Sequence, residues 1–294
     1  MITRILLFLG INFLIIISAS LIINWLGVAN FVTSQGIDLY SLAVFAFVWG
    51  FTGSIISLLI SKQIAKWTMG VQVIDPQRPG QFAWLLQCVY EVAKKQGLRK
   101  MPEVGIYHSP EINAFATGPS KNNSLVAFST GLLNSMNTDE IEGVVAHEIA
   151  HIANGDMVTM TLIQGVVNMF VIMLSRIVAW VVASRVDESK RDFVYMAVAT
   201  VLDLIFMILA SIVVFYFSRI REYRADLGAA KSVGKEKMIA ALDHLRRYFE
   251  PYDDARSLET LKIAGGKKAS LLAVLFSTHP PLEERIQRLK EAVI

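Results

Sequence analysis

Four long apolar stretches constrain the fold of this chain more than any other feature of its sequence. They cover approximately residues 5–23, 39–60, 157–183 and 193–217. A helix that crosses the roughly 30 Å hydrocarbon core of a bilayer needs about 20 apolar residues, so each stretch is long enough to span a membrane. Hydrophobic residues make up 54% of the chain, which is more than ordinary soluble proteins contain. The sequence therefore predicts an integral membrane protein with up to four transmembrane helices.

The first two stretches predict a pair of membrane anchors with a defined orientation. A cleavable signal peptide is the alternative for the first stretch, but its apolar region is typically only about 7–15 residues and ends at a small-residue cleavage site. No such site follows residue 23, and Trp25 favours the lipid–water boundary. The loop 24–38 contains no Lys or Arg, whereas Lys62 and Lys66 follow the second stretch. The positive-inside rule then predicts that the chain start and the segment after residue 66 face the cytoplasm.

The third and fourth stretches are less uniform, and the sequence leaves open whether they cross the membrane completely. Gln164, Asn168 and Arg176 interrupt the third, and Asp203 interrupts the fourth. Polar residues at such positions usually face a helix-bundle interior or a functional path. The loop 184–192 carries three basic and three acidic residues, so charge bias does not decide its side of the membrane.

Charge and cysteine content exclude two classes of function. The formal net charge is +3, but no dense block of Lys and Arg is interleaved with aromatic residues, so the chain does not resemble a nucleic-acid-binding protein. Cys88 is the single cysteine. One cysteine excludes an intrachain disulfide framework and a cysteine-based zinc site, and it is compatible with a domain that faces the cytosol.

The polar residues between and after the apolar stretches predict one domain built from two separate segments. The predicted organisation is 1–66 for two transmembrane helices, 67–156 for the first half of the domain, 157–218 for a membrane hairpin, and 219–294 for the second half. In the first half, helical spacing over 82–96 and strand-like runs at 104–107 and 124–129, on either side of 113–118, predict a helix and a small antiparallel sheet. In the second half, the pattern is helical, with a mobile loop over 251–268 and a last amphipathic helix after Pro281.

His147 and His151 form an HExxH pattern with Glu148 on a predicted helix. Asn137 and Glu140 provide a capping signal before this helix, and Gly155 provides a stop after it. Residues four apart lie on one face of a helix, so both imidazoles can reach one cation. Zinc suits imidazole nitrogen and, with three protein ligands, keeps one position open for a water whose pKa it lowers to about 7. Glu148 is then placed to accept the proton of that water as a general base.

A third ligand is required, and Glu222 is the predicted one. Glu222 and Asp226 lie one helical turn apart, so Glu222 can bind metal while Asp226 orients a ligand imidazole. A solvated helix face is the alternative for this pair taken alone. However, His151 lies just before the third apolar stretch and Glu222 just after the fourth. If these stretches form a hairpin, Glu222 returns to the membrane face that carries the histidines.

Two further positions have candidate roles at the same site. His279 is a candidate ligand or donor to the oxyanion of the tetrahedral intermediate, although a structural histidine beside a turn is an equal alternative. Asn113, Ala114 and Phe115 are candidates for an edge segment that pairs with extended substrate. His108 and His244 have no pattern that assigns them a function.

Taken together, the motifs make the whole chain resemble the HtpX family of bacterial membrane zinc metalloproteases, gluzincins related to the CAAX prenyl proteases. The resemblance is carried by the two N-terminal apolar helices and four motifs: NAFATG at 113–118, AHEIAHIANGD at 146–156, EYRAD at 222–226 and THPP at 278–281. It implies a gluzincin-like domain on the cytoplasmic side of the bacterial inner membrane. It also implies one zinc ion per chain, with His147, His151 and Glu222 as ligands and Glu148 as the base.

The resemblance further implies a cellular role. The expected activity is hydrolysis of peptide bonds in misfolded or damaged membrane proteins, as protein quality control in a stress response, with functional overlap with an ATP-dependent membrane protease. The expected partners are the lipid bilayer and membrane-protein and unfolded-protein substrates, and no nucleic acid. Two alternatives remain from the residues themselves: a zinc-stabilised membrane scaffold or transport component without proteolysis, and a processing peptidase for one specific sequence.

Overall fold

A computed structural model describes residues 2–33, 36–261 and 279–293 of the chain. It divides the chain into two compact units, and each consists of two segments that are distant in sequence. The helical unit comprises Met1–Leu58 and Thr159–Val214, and the mixed unit comprises Leu59–Val158 and Phe215–Ile294.

Four long helices carry the apolar stretches. They are α1 (Ile2–Leu26), α2 (Leu39–Met69), α6 (Asp156–Ala183) and α7 (Glu188–Val233). Each contains a window long and apolar enough to cross a membrane, and large apolar side chains along them are exposed on the protein surface. Exposed side chains of this kind are stable in lipid and costly in water. The predicted class of integral membrane protein, mainly α-helical, is thus confirmed.

The polar residues that interrupt the apolar stretches pair with one another inside the helical unit. Gln164 donates to the Asn168 side chain (2.8 Å), and the Asn168 amide lies 3.4 Å from the Gly50 carbonyl oxygen on α2. Arg176 on α6 forms an ion pair with Asp203 on α7, with 2.9 Å between Nη1 and Oδ2. In lipid an unpaired polar group is costly, so these partnerships allow polar residues within apolar helices. A short hairpin, β1 (Val32–Thr33) and β2 (Gly36–Ile37), lies between α1 and α2.

The mixed unit contains a small four-stranded sheet. Its strands are β3 (Gln72–Val73), β4 (Glu103–Tyr107), β5 (Ala114–Ser120) and β6 (Asn123–Ser129), in the order β3-β4-β6-β5. Two of the three pairings are antiparallel as predicted, but β4 and β6 are parallel. The reason is that the chain leaves β4, crosses to the far edge as β5, and returns through a tight turn. The returning strand β6 then fills the gap beside β4 and runs in the same direction as β4.

Helices α3 (Ala83–Lys95), α4 (Thr130–Ser135), α5 (Thr138–Asn154), α8 (Lys235–Leu261) and α9 (Leu282–Glu291) complete this unit. Helix α5 is central, because it contacts α3, α8 and the sheet. It begins at a capping box between Asn137 and Glu140 and ends at Gly155, whose φ of 74° suits glycine. Ile149 and Ile152 are fully buried. Because this apolar face of α5 packs into the core, the functional side chains of the helix lie on its other face.

Two helices are longer than the sequence predicted. Helix α7 runs for 46 residues, beyond the apolar stretch that ends near residue 217, because no proline or left-handed glycine interrupts it before Gly234 (φ 100°). Helix α8 continues to Leu261 where a mobile loop was predicted from residue 251, and the glycines that suggested the loop come after this helical end. The remainder of that predicted loop, residues 262–268, lies outside the described residues.

Candidate metal centre and active site

Three predicted ligands come together in the mixed unit. Helix α5 presents His147 and His151 one turn apart, with 3.1 Å between their Nε2 atoms. Helix α7 brings Glu222 to the same point, with Oε2 3.5 Å from His147 Nε2 and Oε1 3.4 Å from His151 Nε2. One ligand atom from each residue lies within 4.8 Å of the other two. The spacing is that of a single cation site.

The donor chemistry of this cluster fits a zinc ion. Glu222 is 1% exposed and His147 is 8% exposed, and the buried Oε1 of Glu222 has no hydrogen bond. A buried carboxylate oxygen without such a partner is costly, and a cation between it and two facing imidazole nitrogens removes that cost. Two imidazoles and one carboxylate are the ligand set of a catalytic zinc site that keeps one position open.

The electrostatics of the protein groups favour a charged Glu222. Burial raises the pKa of the Glu222 carboxyl, but hydrogen bonds from His147 and His279 outweigh it and hold the pKa far below its usual range. Burial lowers the pKa of His147, yet hydrogen bonds to Asp226 and Glu222 raise it to about 9 overall. In the absence of metal the cluster therefore holds a proton on His147, and a metal ion must displace that proton to bind.

Asp226, the residue predicted to orient a ligand imidazole, lies behind His147. Its Oδ1 is 2.9 Å from His147 Nδ1, so it can accept a hydrogen bond from the Nδ1–H group and leave Nε2 directed at the ligand cluster. Arg285, on α9, donates to both carboxylate oxygens of Asp226 at 2.6 and 2.8 Å. Sequence reasoning did not identify Arg285, because an arginine on an amphipathic helix carries no pattern that distinguishes it from a surface residue.

Asp156 has the same relation to His151. Its Oδ2 lies 2.7 Å from His151 Nδ1, and it is 3% exposed. The left-handed Gly155 turns the chain so that the first residue of α6 faces back toward α5. Sequence reasoning assigned no role to Asp156, although an acidic residue just after a glycine stop behind an HExxH helix is a signal that could have found it.

A cleft of about 370 Å³ opens beside the cluster. It is lined by Glu148, His147 and Glu222 together with His279, Asn113 and Ala114, and its remaining wall includes Val144, Met238, Leu242 and Leu245. Glu148, the predicted base, is therefore on the open side of the cluster, whereas Asp226 and Asp156 are behind the imidazoles. A substrate that enters the cleft meets Glu148 and a mainly apolar surface.

Of the remaining predicted site residues, His279, Asn113 and Ala114 line this cleft and Phe115 does not. His279 Nδ1 is 3.0 Å from Glu222 Oε2, and its side chain is 60% exposed. This position is compatible with both roles expected of His279, ligand and donor. Asn113 and Ala114 line the cleft where edge strand β5 begins, while the ring of Phe115 packs against Tyr107 with centroids 5.6 Å apart. Successive side chains along a strand point to opposite faces, so Phe115 points away from the cleft that Ala114 lines. Thr278 lies outside the described residues.

Comparisons with known proteins find relatives over nearly the whole chain. Residues 79–293 match peptidase family M48. The chain is 54% identical to Protease HtpX of Shewanella pealeana over 293 residues, covering 98% of this chain and 99% of that protein. It is 50% identical to the Protease HtpX homolog of Bacillus licheniformis over 296 residues, covering 98% of both. The fold resembles the crystal structure of S. mikatae Ste24p, with a TM-score of 0.61 and 20% identity over 98% of this chain and 66% of that one.

Proposed function

Because the chain belongs to peptidase family M48 and is a multi-pass membrane metalloprotease of the HtpX family, we propose that it is a zinc endopeptidase acting on membrane proteins. In this proposal, His147, His151 and Glu222 hold one zinc ion per chain and Glu148 is the general base. The observation that carries the proposal is the convergence of three ligand atoms within 4.8 Å of one another beside a cleft that Glu148 lines.

The chain's own residues divide the work of hydrolysis between them. A bound zinc ion would supply Lewis acidity, which lowers the pKa of a water and polarises a carbonyl. Glu148 accepts the proton of the attacking water and later donates it to the leaving amine. His279, which also lines the cleft, would donate a hydrogen bond to the oxyanion. Asn113 and Ala114 at the start of β5 offer backbone groups to an extended substrate.

The charged residues behind the imidazoles keep the ligands in position. Asp226 and Asp156 each accept a hydrogen bond from an Nδ1–H group, which directs both Nε2 atoms at the metal position. Arg285 neutralises Asp226, so the buried carboxylate has a partner of opposite charge.

The cellular setting is part of the same proposal. The absence of Lys and Arg from the loop 24–38 and their presence just after the second apolar stretch favour an active site that faces the cytoplasm. A general endopeptidase at that face would hydrolyse exposed segments of misfolded or damaged membrane proteins. We propose on this basis a role in quality control under stress in the bacterial inner membrane, overlapping with an ATP-dependent membrane protease.

Replacing Glu148 by glutamine tests the mechanism. Glu148→Gln keeps the shape of the side chain but removes the base, so cleavage of a model membrane substrate should fall by on the order of 10²–10⁴-fold. Zinc content measured by elemental analysis should stay at one ion per chain. Glu142→Gln, on the same helix but outside the cleft, should leave cleavage unchanged. Full activity of Glu148→Gln would reject the assigned base.

The same inactive variant distinguishes general from specific proteolysis. Membranes from cells with active enzyme and cells with Glu148→Gln can be compared by mass spectrometry of peptide termini. Many dissimilar cleavage sites would support quality control, whereas one recurring site would support a dedicated processing peptidase. The alternative of a scaffold without proteolysis predicts no differences between the two membranes.

A further inference from the structure

The helical unit contains a second cavity, of about 430 Å³, which the proposed peptidase function does not use. It lies where the C-terminal end of α6, the start of α7 and the β1–β2 hairpin meet. Its lining includes Trp180, Ser184, Arg191, Asp192 and Tyr195, with Gly36 beside Trp180. Its volume falls within the range of about 300–1,000 Å³ that is typical of pockets for small molecules.

Two opposite charges on the wall of this cavity have no ion-pair partner within the protein. Arg191 and Asp192 are both exposed and line the cavity, and within the part of the chain that the structure describes neither forms an ion pair. Tyr195 lines the same wall, but its hydroxyl oxygen is buried, so a ligand in the cavity does not reach the hydroxyl. A cation and an anion on one wall indicate a ligand that carries both a negative and a positive group.

The walls of the cavity are held in place by neighbouring contacts. Arg176 and Asp203, which join α6 to α7, lie on the helix faces that carry Trp180 and Tyr195, since residues four and eight apart share a face. Gly36 of the hairpin lies beside the Trp180 ring, since an added Cβ would stand 3.6 Å from it. The cavity is thus supported by α6, α7 and the hairpin rather than by one loop.

The cavity also lies near the expected lipid–water boundary, where phospholipid headgroups are present. The apolar part of α6 ends at Ala183, and the apolar part of α7 begins at Phe193. Trp180 and Tyr195 are residue types that favour the lipid–water boundary. The molecules present there at high concentration are phospholipids, whose headgroups lie at this depth.

We propose that this cavity binds the headgroup of a zwitterionic phospholipid that carries a primary ammonium group. Arg191 donates to the phosphate, and Asp192 accepts from the ammonium group. Asp192 disfavours a purely anionic headgroup because it repels negative charge. A quaternary ammonium cannot donate a hydrogen bond to Asp192, so a choline headgroup satisfies the cavity less well.

Native mass spectrometry of the full chain tests this proposal. The protein, released from detergent, is titrated with dioleoyl phosphatidylethanolamine, phosphatidylcholine or phosphatidylglycerol, and in a separate arm with soluble phosphoethanolamine. One phosphatidylethanolamine should be retained per chain, in preference to the other two lipids. Arg191→Gln should weaken its retention on the order of tenfold, as expected for loss of one charged hydrogen bond.

The controls separate this site from general lipid adhesion and from the peptidase site. Lys190→Gln removes a positive charge from the same segment outside the cavity lining and should leave retention unchanged. Glu148→Gln should retain the lipid as the unmodified chain does, so failure of the peptidase proposal would not affect this one. Equal retention of all three lipids, equal effects of Arg191→Gln and Lys190→Gln, or equally strong binding of soluble phosphoethanolamine would overturn the proposal.

Discussion

Arg285 acts on the metal centre through two intervening contacts. It is buried, it binds both oxygens of Asp226, and Asp226 in turn binds His147. Burial disfavours the charged forms of both side chains, but their mutual hydrogen bonds dominate, so the pKa of Asp226 is lowered and that of Arg285 is raised. Both groups therefore stay charged, and the orientation of the first imidazole depends on an arginine 138 residues further along the chain.

Arg285→Gln should weaken zinc binding by about 10- to 100-fold, the usual effect of losing an outer partner of a metal ligand. It should also destabilise the fold by roughly 1–3 kcal/mol, because the buried Asp226 carboxylate loses the hydrogen bonds from Arg285 and keeps His147 as its partner. Competition with a chromophoric chelator measures the affinity, and chemical unfolding measures the stability. Lys290→Gln removes one positive charge from an exposed position on the same helix and should change neither quantity. Unaltered zinc affinity in Arg285→Gln would contradict the positioning role.

Zinc affinity should also depend on pH in a direction set by His147. Its pKa of about 9 in the metal-free cluster means that below this pH a proton occupies the imidazole and zinc must displace it. Affinity should therefore rise with pH by about tenfold per unit up to that pKa and then level off. Calorimetric titrations at several pH values, corrected for the chelation of zinc by buffer, measure this slope. Asp226→Asn removes an acceptor that stabilises the proton and should flatten the profile; an unchanged profile would count against this account.

At the scale of elements, two glycines bring α2 and α6 into backbone contact. A Cβ on Gly50 would stand 2.7 Å from the Met169 nitrogen and 2.9 Å from the Gly165 carbonyl oxygen. A Cβ on Gly165 would in turn meet the Phe51 ring at 2.5 Å. Small residues at such positions let membrane helices pack closely, because lipid supplies no hydrophobic force between them.

Gly50→Ala should therefore push α2 and α6 apart and destabilise the helical unit by about 1–3 kcal/mol, the usual cost of overpacking. Gly10→Ala is the matched control, since it lies in another membrane helix and its Cβ would meet no atom within 4 Å. Unfolding of the two variants in mixed micelles by a denaturing detergent measures the difference. Equal stability of the two variants would mean that the close contact is dispensable.

At the scale of the whole molecule, the helical unit indicates whether α6 and α7 cross the membrane completely, which the charges of the loop 184–192 do not decide. Residues of the β1–β2 hairpin and residues of the α6–α7 connection line the same cavity. Both connections must therefore emerge on the same side of the membrane. If the Lys- and Arg-free loop 24–38 faces away from the cytoplasm, the segment 184–192 does so too, and α6 and α7 cross the bilayer completely.

Cysteine labelling tests this topology in a Cys88→Ser background. In intact spheroplasts, a membrane-impermeant maleimide should react with Asn30→Cys and Lys190→Cys, which replace exposed residues on the two connections. Lys100→Cys, in the segment expected in the cytoplasm, should react only after the membrane is permeabilised. Labelling of Asn30→Cys without labelling of Lys190→Cys would show that α6 and α7 do not cross.

The sequence by itself determined the features whose signals are local. The four apolar stretches follow from length and composition. Helix α5 follows from its capping box, its glycine stop and the four-residue spacing that puts His147 and His151 on one face. Glu222 could be predicted as the third ligand only because the third and fourth stretches predicted a hairpin and because its motif resembled a known family.

Only the tertiary structure decided that Arg285 supports Asp226 and, through it, His147. Asp226 and Arg285 are 59 residues apart, and no periodicity connects an arginine on α9 to a carboxylate on α7. The parallel pairing of β4 with β6 depends on which edge β5 occupies, and the headgroup-sized cavity depends on three segments that are separate in sequence. Helical and strand patterns encode contacts between near neighbours along the chain. Contacts between remote segments depend on packing, which a single sequence records only indirectly.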